Sequence, residues 1–147
     1  MLLALLLPGC RGQGAEGLPV PGYIDFAHLV RPASPNTALA APAGFEPSPD
    51  IVTRRYDMPP AALFAAIRRV ALAQPRSFPQ VEYPDALQAH FVSRSAWLNF
   101  PDLIAVRVTP ESGLILWSRS VYGRSDFGVN RKRLAAWLAA LDMGLPR

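Results

Sequence analysis

The stretch "LILWSRSVYGRSDFGVNRKRLAAWLAAL", residues 114–141, joins a strand to an amphipathic helix through one polar turn. Its beginning is almost wholly apolar up to Ser118, which predicts a central strand of a sheet. Its end shows the spacing of one apolar helix face. The apolar helix positions are Leu134, Trp137, Leu138 and Leu141. We therefore expect this helix to return onto the sheet and to bury Trp137 in the core.

One helix and four further strands are predicted upstream of this unit. "DIVTRRYD" from residue 50 has the β-branched and aromatic content of a strand. Pro59 and Pro60 then open a helix, and strand-like runs follow at 77–83, 86–95 and 103–109. The order β-α-β-β-β-β-α predicts an α+β fold. We expect a single two-layer sandwich, an antiparallel sheet of about five strands with both helices on one face.

Alternation within the run at 86–95 divides its side chains between two faces. Leu87, Ala89 and Phe91 fall on one face, and successive strand residues point to opposite sides of a sheet. His90 and Arg94 fall on the other face, which we expect to meet solvent.

The amino-acid composition indicates a folded domain and argues against nucleic acid as a partner. Half of the residues are hydrophobic and 18% are charged, which argues for a folded domain. The net charge is +4, and the basic residues are dispersed and nearly all arginine. Such modest, scattered charge is typical of biased composition, and no nucleic-acid motif accompanies it. We predict that nucleic acid is not a partner.

Cysteine and histidine are too scarce for several kinds of site. Cys10 is the one cysteine, so an intrachain disulfide and a cysteine-based metal cluster are both excluded. His28 and His90 lack metal-ligand spacing, and no phosphate-binding glycine loop occurs. The sequence predicts no metal and no cofactor.

The amino terminus "MLLALLLPGC" is an apolar run that ends in a small residue and a cysteine. It resembles a bacterial lipobox, in which the cysteine becomes the lipidated first residue of the mature protein. We predict a signal peptide over 1–10, lipidation of Cys10 and a flexible spacer over 11–24. The domain then covers 25–143, with an extended proline-rich lead-in over 25–49 and the α+β core over 50–143. The predicted location is the bacterial envelope, anchored in a membrane and facing the periplasm.

The polar turn at 117–130 has two interpretations that the residues leave open. In the structural one, Asp126 or Asp102 pairs with Arg119, Gly123 and Gly128 supply special backbone conformations, and Asp126 or Asn130 caps the helix. In the other, Arg131, Lys132 and Arg133 crowd the positive end of a helix, which a bound anion would stabilise. Arg119 and Arg124 would add to that anion site.

The same turn carries a resemblance to a known family. "SRSVYGRSDFGVNRKRLAAWLAAL" at 118–141 resembles the carboxy-terminal signature of the domain-of-unknown-function 1499 family. "RPASPN" at 31–36, "ALAQPR" at 71–76 and "RSAWLNFPD" at 94–102 are similar to its other blocks, so the resemblance runs from about Asp25 to Leu141. It implies no established activity, and it implies a bacterial, exported or membrane-associated protein. The motif residues are Arg119, Ser120, Gly123, Ser125, Asp126, Gly128, Asn130 and Arg133.

The sequence supports two hypotheses for the function of the protein. The first is a non-enzymatic envelope lipoprotein whose turn binds an anionic small molecule, a lipid headgroup or an envelope protein. The alternative is a hydrolase in which Ser118, Ser120 or Ser125 is activated by His90 and an aspartate. No Gly-x-Ser-x-Gly elbow supports the alternative.

Overall fold

The computed structural model describes residues 7–145, so residues 1–6 of the predicted signal peptide lie outside the described residues. Within these residues the chain forms six strands and two α-helices. The strands are β1 (Thr37–Pro42), β2 (Ile51–Thr53), β3 (Ser77–Tyr83), β4 (Gln88–Arg94), β5 (Pro101–Val108) and β6 (Leu114–Ser120). The helices are α1 (Pro60–Ala73) and α2 (Val129–Gly144).

The strands form one sheet in the order β2-β1-β6-β5-β4-β3. β1 and β2 are parallel, and the other neighbours are antiparallel. The predicted α+β class with two helices on one face is confirmed, although the sheet has six strands and is mixed. The additional strand is β1, "TALAAP", which the sequence analysis assigned to the extended lead-in. Alanine has little strand propensity, so this segment lacks the usual signal of a strand.

The helix-covered face of the sheet holds the larger core. Leu63 and Ile67 of α1 and Leu134 and Leu141 of α2 are fully buried there. Trp137 packs edge-to-face on Phe91 with 5.9 Å between ring centroids, a favourable aromatic geometry. The prediction that Trp137 belongs to the core is confirmed.

The opposite face is covered by the chain that precedes β1. Phe26, Ile24 and Leu29 pack there against Leu39 and Trp117. The expectation that this face meets solvent is wrong, because Gln88, His90 and Arg94 are 0%, 3% and 3% exposed. Gln88 and Arg94 form hydrogen bonds with the backbone of the covering segment, which makes no strand pairing of its own within the described residues, and His90 bonds Gln88.

Arg94 holds the first part of that segment. Its guanidinium donates to the carbonyl oxygens of Gly9 (2.6 Å), Gly14 (2.8 Å), Glu16 (2.9 Å) and Asn99 (3.1 Å). Residues 9–16, within the predicted signal peptide and spacer, therefore lie against the domain in this structure, and the domain boundaries stay predictions. Within residues 7–145, no helix is both long and apolar enough to cross a bilayer.

One end of the sheet gathers several of the segments discussed below. β4 and β6 end there, at Arg94 and Ser120, and β1 and β5 begin there, at Thr37 and Pro101. We call it the corner end, because the turn from β6 into α2 also lies there.

Candidate functional site

Asn130, the second residue of α2, is the centre of a hydrogen-bond network at the corner end, and it is 0% exposed. Its side-chain oxygen accepts from Ser118 Oγ (2.5 Å) and from Arg133 Nη1 (2.7 Å). Arg133 Nη2 in turn donates to Asp102 Oδ2 at 2.7 Å, and both of these side chains are 14% exposed. The network therefore contains a largely buried ion pair whose two charges compensate each other.

The side-chain amide nitrogen of Asn130, Nδ2, lies within hydrogen-bond distance of three acceptors. They are Asp126 Oδ2 (2.7 Å), Ser120 Oγ (2.9 Å) and the Asn36 carbonyl oxygen (3.1 Å). Asn36 itself donates from its side chain to the Gly123 carbonyl oxygen at 2.6 Å. The network thus ties the start of β1, the end of β6 and the start of α2 together.

Asp126 accepts a hydrogen bond from a free amide in the first turn of α2, as the structural interpretation predicted, although the N-cap position itself is occupied by Gly128. Its carboxylate accepts from the backbone amides of Gly128 (2.9 Å) and Asn130 (3.0 Å). Burial raises the pKa of Asp126, but these hydrogen bonds outweigh it, and the pKa lies below its ordinary value. An anion at this helix end would compete with a carboxylate that the chain already supplies.

Gly123 and Gly128 adopt the backbone conformations predicted for them. Their φ angles are +89° and +80°, values that are open to glycine and strained for residues with a Cβ. Gly128 directly precedes α2, so its conformation turns the chain into the helix.

Arg119 does not take part in this network. It lies on the other face of the sheet from Ser118 and Ser120, because successive strand residues alternate. The prediction that Asp102 or Asp126 pairs with Arg119 is therefore wrong. Its Nε is buried without a hydrogen-bond partner among the described residues, and burial lowers its pKa.

The remaining predicted residues lie at the surface of the turn. Arg124 and Arg131 are exposed, and neither forms a salt bridge within residues 7–145. Ser125 Oγ accepts from the Phe127 amide at 3.3 Å. Ser34 donates to the Arg124 carbonyl oxygen at 2.9 Å, so the 31–36 block braces the turn from the β1 side.

The residues of the hydrolase alternative are not brought together. His90 is buried on the face opposite Ser118 and Ser120, where it shares a 2.7 Å hydrogen bond with Gln88 Oε1. Burial, aided by the charge of Arg119, lowers the pKa of His90 to about 4. Ser118 is bound to Asn130, and Ser125 lies in an exposed turn. A general base must reach its nucleophile, and this histidine has the sheet between it and Ser118 and Ser120.

A cavity of about 500 Å³ opens beside the network, between the end of α1, the β4–β5 loop and α2. We call it the basic groove. Its charged lining includes Arg76, Lys132 and Arg133, together with one carboxylate, Asp102, that is already paired with Arg133. Ser93 and Ser95 add hydroxyl groups. The lining can therefore bind an anion, through groups that the polar turn alone does not reveal.

Most of this groove could not be predicted from the sequence. Its positive residues come from three separate segments, at 76, at 94 and at 132–133, which only the fold brings together. The available signal was the set of quoted blocks, because 71–76, 94–102 and 118–141 all contribute to its wall and 31–36 braces the adjoining turn.

The basic groove is not the largest cavity described. A larger cavity of about 630 Å³ lies at the opposite end of the sheet, near Phe45, Arg55 and Glu111, and none of the quoted blocks lines it. Among the described residues, no group of three histidine, cysteine or carboxylate side chains could hold a metal ion.

Comparisons with known proteins place the chain in a family. Neither the curated proteins nor the solved structures contain a significant match. The model of the family described as "Protein of unknown function (DUF1499)" matches residues 30–141, which include all four quoted blocks. This match covers most of the chain and confirms the resemblance. The protein therefore belongs to the DUF1499 family.

Proposed function

We propose that this protein is a non-enzymatic accessory module of the bacterial envelope, anchored at Cys10, that binds an anionic group in the basic groove. The observation that carries the proposal is the convergence of Arg76, Lys132 and Arg133 on one cavity. Only one carboxylate faces them, and it is occupied by Arg133. Guanidinium and ammonium groups favour phosphate or carboxylate ligands.

The network around Asn130 supports this role by fixing the groove wall. Arg133 is held at a set position by Asp102 and Asn130, so its charge is oriented before any ligand arrives. Lys132 has no salt-bridge partner within residues 7–145 and is exposed beside it. A fixed arginine next to a free lysine suits a ligand that approaches from solvent.

The anchoring part of the proposal rests on the lipobox-like sequence around Cys10. Cells that express the full gene can be fractionated with and without Cys10→Ser. The anchored protein is expected in the membrane fraction and the variant in the soluble fraction, because a stable attachment depends on the acyl chains. Equal membrane retention of both would exclude lipidation as the anchor.

The binding part is tested by thermal unfolding in sodium phosphate, with sodium chloride at equal ionic strength as reference. A ligand that binds the folded state raises the melting temperature. We expect the phosphate-specific rise to shrink by at least half in Lys132→Gln. Arg69→Gln, which removes an exposed positive charge from α1, is the matched control and should keep the full rise. Phosphate also stabilises proteins by exclusion, so an equal rise in all three proteins would contradict the groove as a site.

A further inference from the structure

We infer that the corner end of the sheet is a membrane-binding face, on which Trp97 and Phe127 enter the interface of a bilayer that contains anionic phospholipids. The ligand of the basic groove is then a lipid phosphate, and this part of the inference rests on the proposed function.

The first support is a pair of aromatic side chains with almost no protein contact. Trp97 is 94% exposed and Phe127 is 91% exposed, the two highest values among the large hydrophobic residues described. Leu98, which follows Trp97, and Val129, two residues after Phe127, are also exposed. Isolated exposed apolar residues are ordinary, but two aromatic loop tips with apolar neighbours are typical of interaction surfaces.

The second support is that both tips belong to the same end of the molecule. Trp97 lies in the β4–β5 loop, and Phe127 lies in the turn from β6 to α2. The two loops are joined by the Val121 amide, which donates to the Pro101 carbonyl oxygen at 3.3 Å, and by the rings of Phe100 and Tyr122. Ala96, which precedes Trp97, and Val129, two residues after Phe127, both line the basic groove. The aromatic tips therefore flank the mouth of a positively charged cavity.

The third support is the charge of this surface. Arg124, Arg131 and Lys132 are exposed and form no salt bridge within the described chain. The carboxylates nearby are engaged, Asp102 by Arg133 and Asp126 by backbone amides. Basic side chains beside interfacial aromatic residues match the surface of a bilayer with anionic headgroups.

The fourth support is the position of the predicted anchor. Asn99, two residues after Trp97, donates from its side chain to the Cys10 carbonyl oxygen at 2.9 Å. The carbonyl group of Cys10, the residue where lipid is expected, therefore lies against the β4–β5 loop, although the residue as a whole is only 8% exposed. An acyl anchor and a basic aromatic surface on one side of a protein would act as two signals for one membrane.

The experiment uses the full chain carrying Cys10→Ser, mixed with vesicles of equal parts phosphatidylcholine and phosphatidylglycerol. Tryptophan emission reports on the face directly, because Trp97 is exposed whereas Trp117 and Trp137 are buried. We expect a blue shift with these vesicles and none with pure phosphatidylcholine. Residues 1–6 are common to all variants, so differences between variants report on the loops.

Sedimentation with the same vesicles compares Trp97→Ser and Phe127→Ser with Met143→Ser, an exposed residue near the other end of α2. We expect each loop variant to bind about ten-fold more weakly and the control to bind like its parent. Unchanged binding by both loop variants, or no blue shift, would overturn the docking face.

The two proposals fail in different ways. If phosphate stabilises the protein through Lys132 but the loop variants bind vesicles normally, the groove stands and the docking face is wrong. If the loop variants lose vesicle binding while Lys132→Gln keeps its full response to free phosphate, the docking face stands and the anion site in the groove is wrong.

Discussion

The two faces of the sheet are closed in different ways at the corner end. On the helix face, Asn130 and Arg133 of α2 bind Ser118 and Asp102 of the sheet, side chain to side chain. On the other face, Arg94 binds the backbone carbonyl oxygens of an irregular segment, and no carboxylate pairs with it among the described residues. One arginine is thus matched to specific side chains and the other to main-chain atoms.

This difference distinguishes contacts that resist global unfolding from contacts that resist local opening. The helix network needs particular residues at each position, because loss of one member leaves another buried polar group unsatisfied. The segment held by Arg94 presents carbonyl groups that every residue type carries, and water can replace Arg94 when the segment lifts. Gln88 repeats the pattern, since its side chain bonds both the amide and the carbonyl of Ile24. We expect the first face to control global unfolding and the second to control local opening.

The largest effect is expected from Asn130→Ala. The change leaves Ser118, Arg133 and Asp126 short of partners in a buried site and should lower the free energy of unfolding by about 3 kcal/mol. Urea denaturation measures it. Gln80→Ala, which removes a hydrogen bond to the Pro19 carbonyl oxygen on the other face, is the control and should cost about 1 kcal/mol or less. Equal losses would contradict the proposed difference between the faces.

The next effect is a pH dependence that comes from His90. Burial, aided by Arg119, lowers its folded-state pKa to about 4, whereas the unfolded chain takes up the proton near 6.5. The unfolded state therefore binds more protons between these values, so stability is full above pH 6.5 and falls as the pH drops towards 4. In His90→Gln the melting temperature should change less with pH between pH 4 and 6.5. A wild-type slope that persists in the variant would show that His90 is not its source.

Arg94→Gln is expected to have a smaller effect on global stability and a large effect on local opening of the amino-terminal segment. Loss of the four carbonyl contacts should release residues 9–16 and raise amide exchange in that segment about ten-fold or more, while global stability falls by about 1 kcal/mol. Hydrogen exchange followed by mass spectrometry measures both. Arg133→Gln should show the opposite pattern, with a larger loss of global stability and little change in the exchange of residues 9–16. Equal protection of the segment in wild type and Arg94→Gln would mean that other contacts hold it.

The smallest effect is expected from Arg131→Gln, which removes an exposed cation from the first turn of α2. The positive end of a helix disfavours cations, so the variant should be more stable by ~0.3–1 kcal/mol in low salt. Melting curves at low and high salt check both the sign and the screening. Arg69→Gln, within α1, should leave stability unchanged, and a loss of stability in Arg131→Gln would point to an unrecognised contact of this side chain.

Both helices, the antiparallel part of the sheet and several details of the turn could be predicted from the sequence. The helical spacing around Trp137, the glycines at 123 and 128 and the hydrogen bond between Asp126 and the first turn of α2 are all confirmed. Each depends on residues within a few positions of one another, and local backbone geometry makes such patterns visible in one dimension. The pairing of Arg119 was wrong, although its alternation with Ser118 already excluded a partner on the helix face.

Only the tertiary structure decided the rest. It inserted the alanine-rich β1 between β2 and β6, laid the amino-terminal chain over Gln88, His90 and Arg94, and paired Asp102 with Arg133. It also brought Arg76 and Lys132, which lie in separate segments of the chain, to one groove. These contacts join residues that are far apart in the chain, and they depend on which surfaces remain to be covered once the sheet has formed. By itself the sequence determined the two helices, the five predicted strands and a polar turn whose side chains bind the start of α2, because those features need only neighbouring residues.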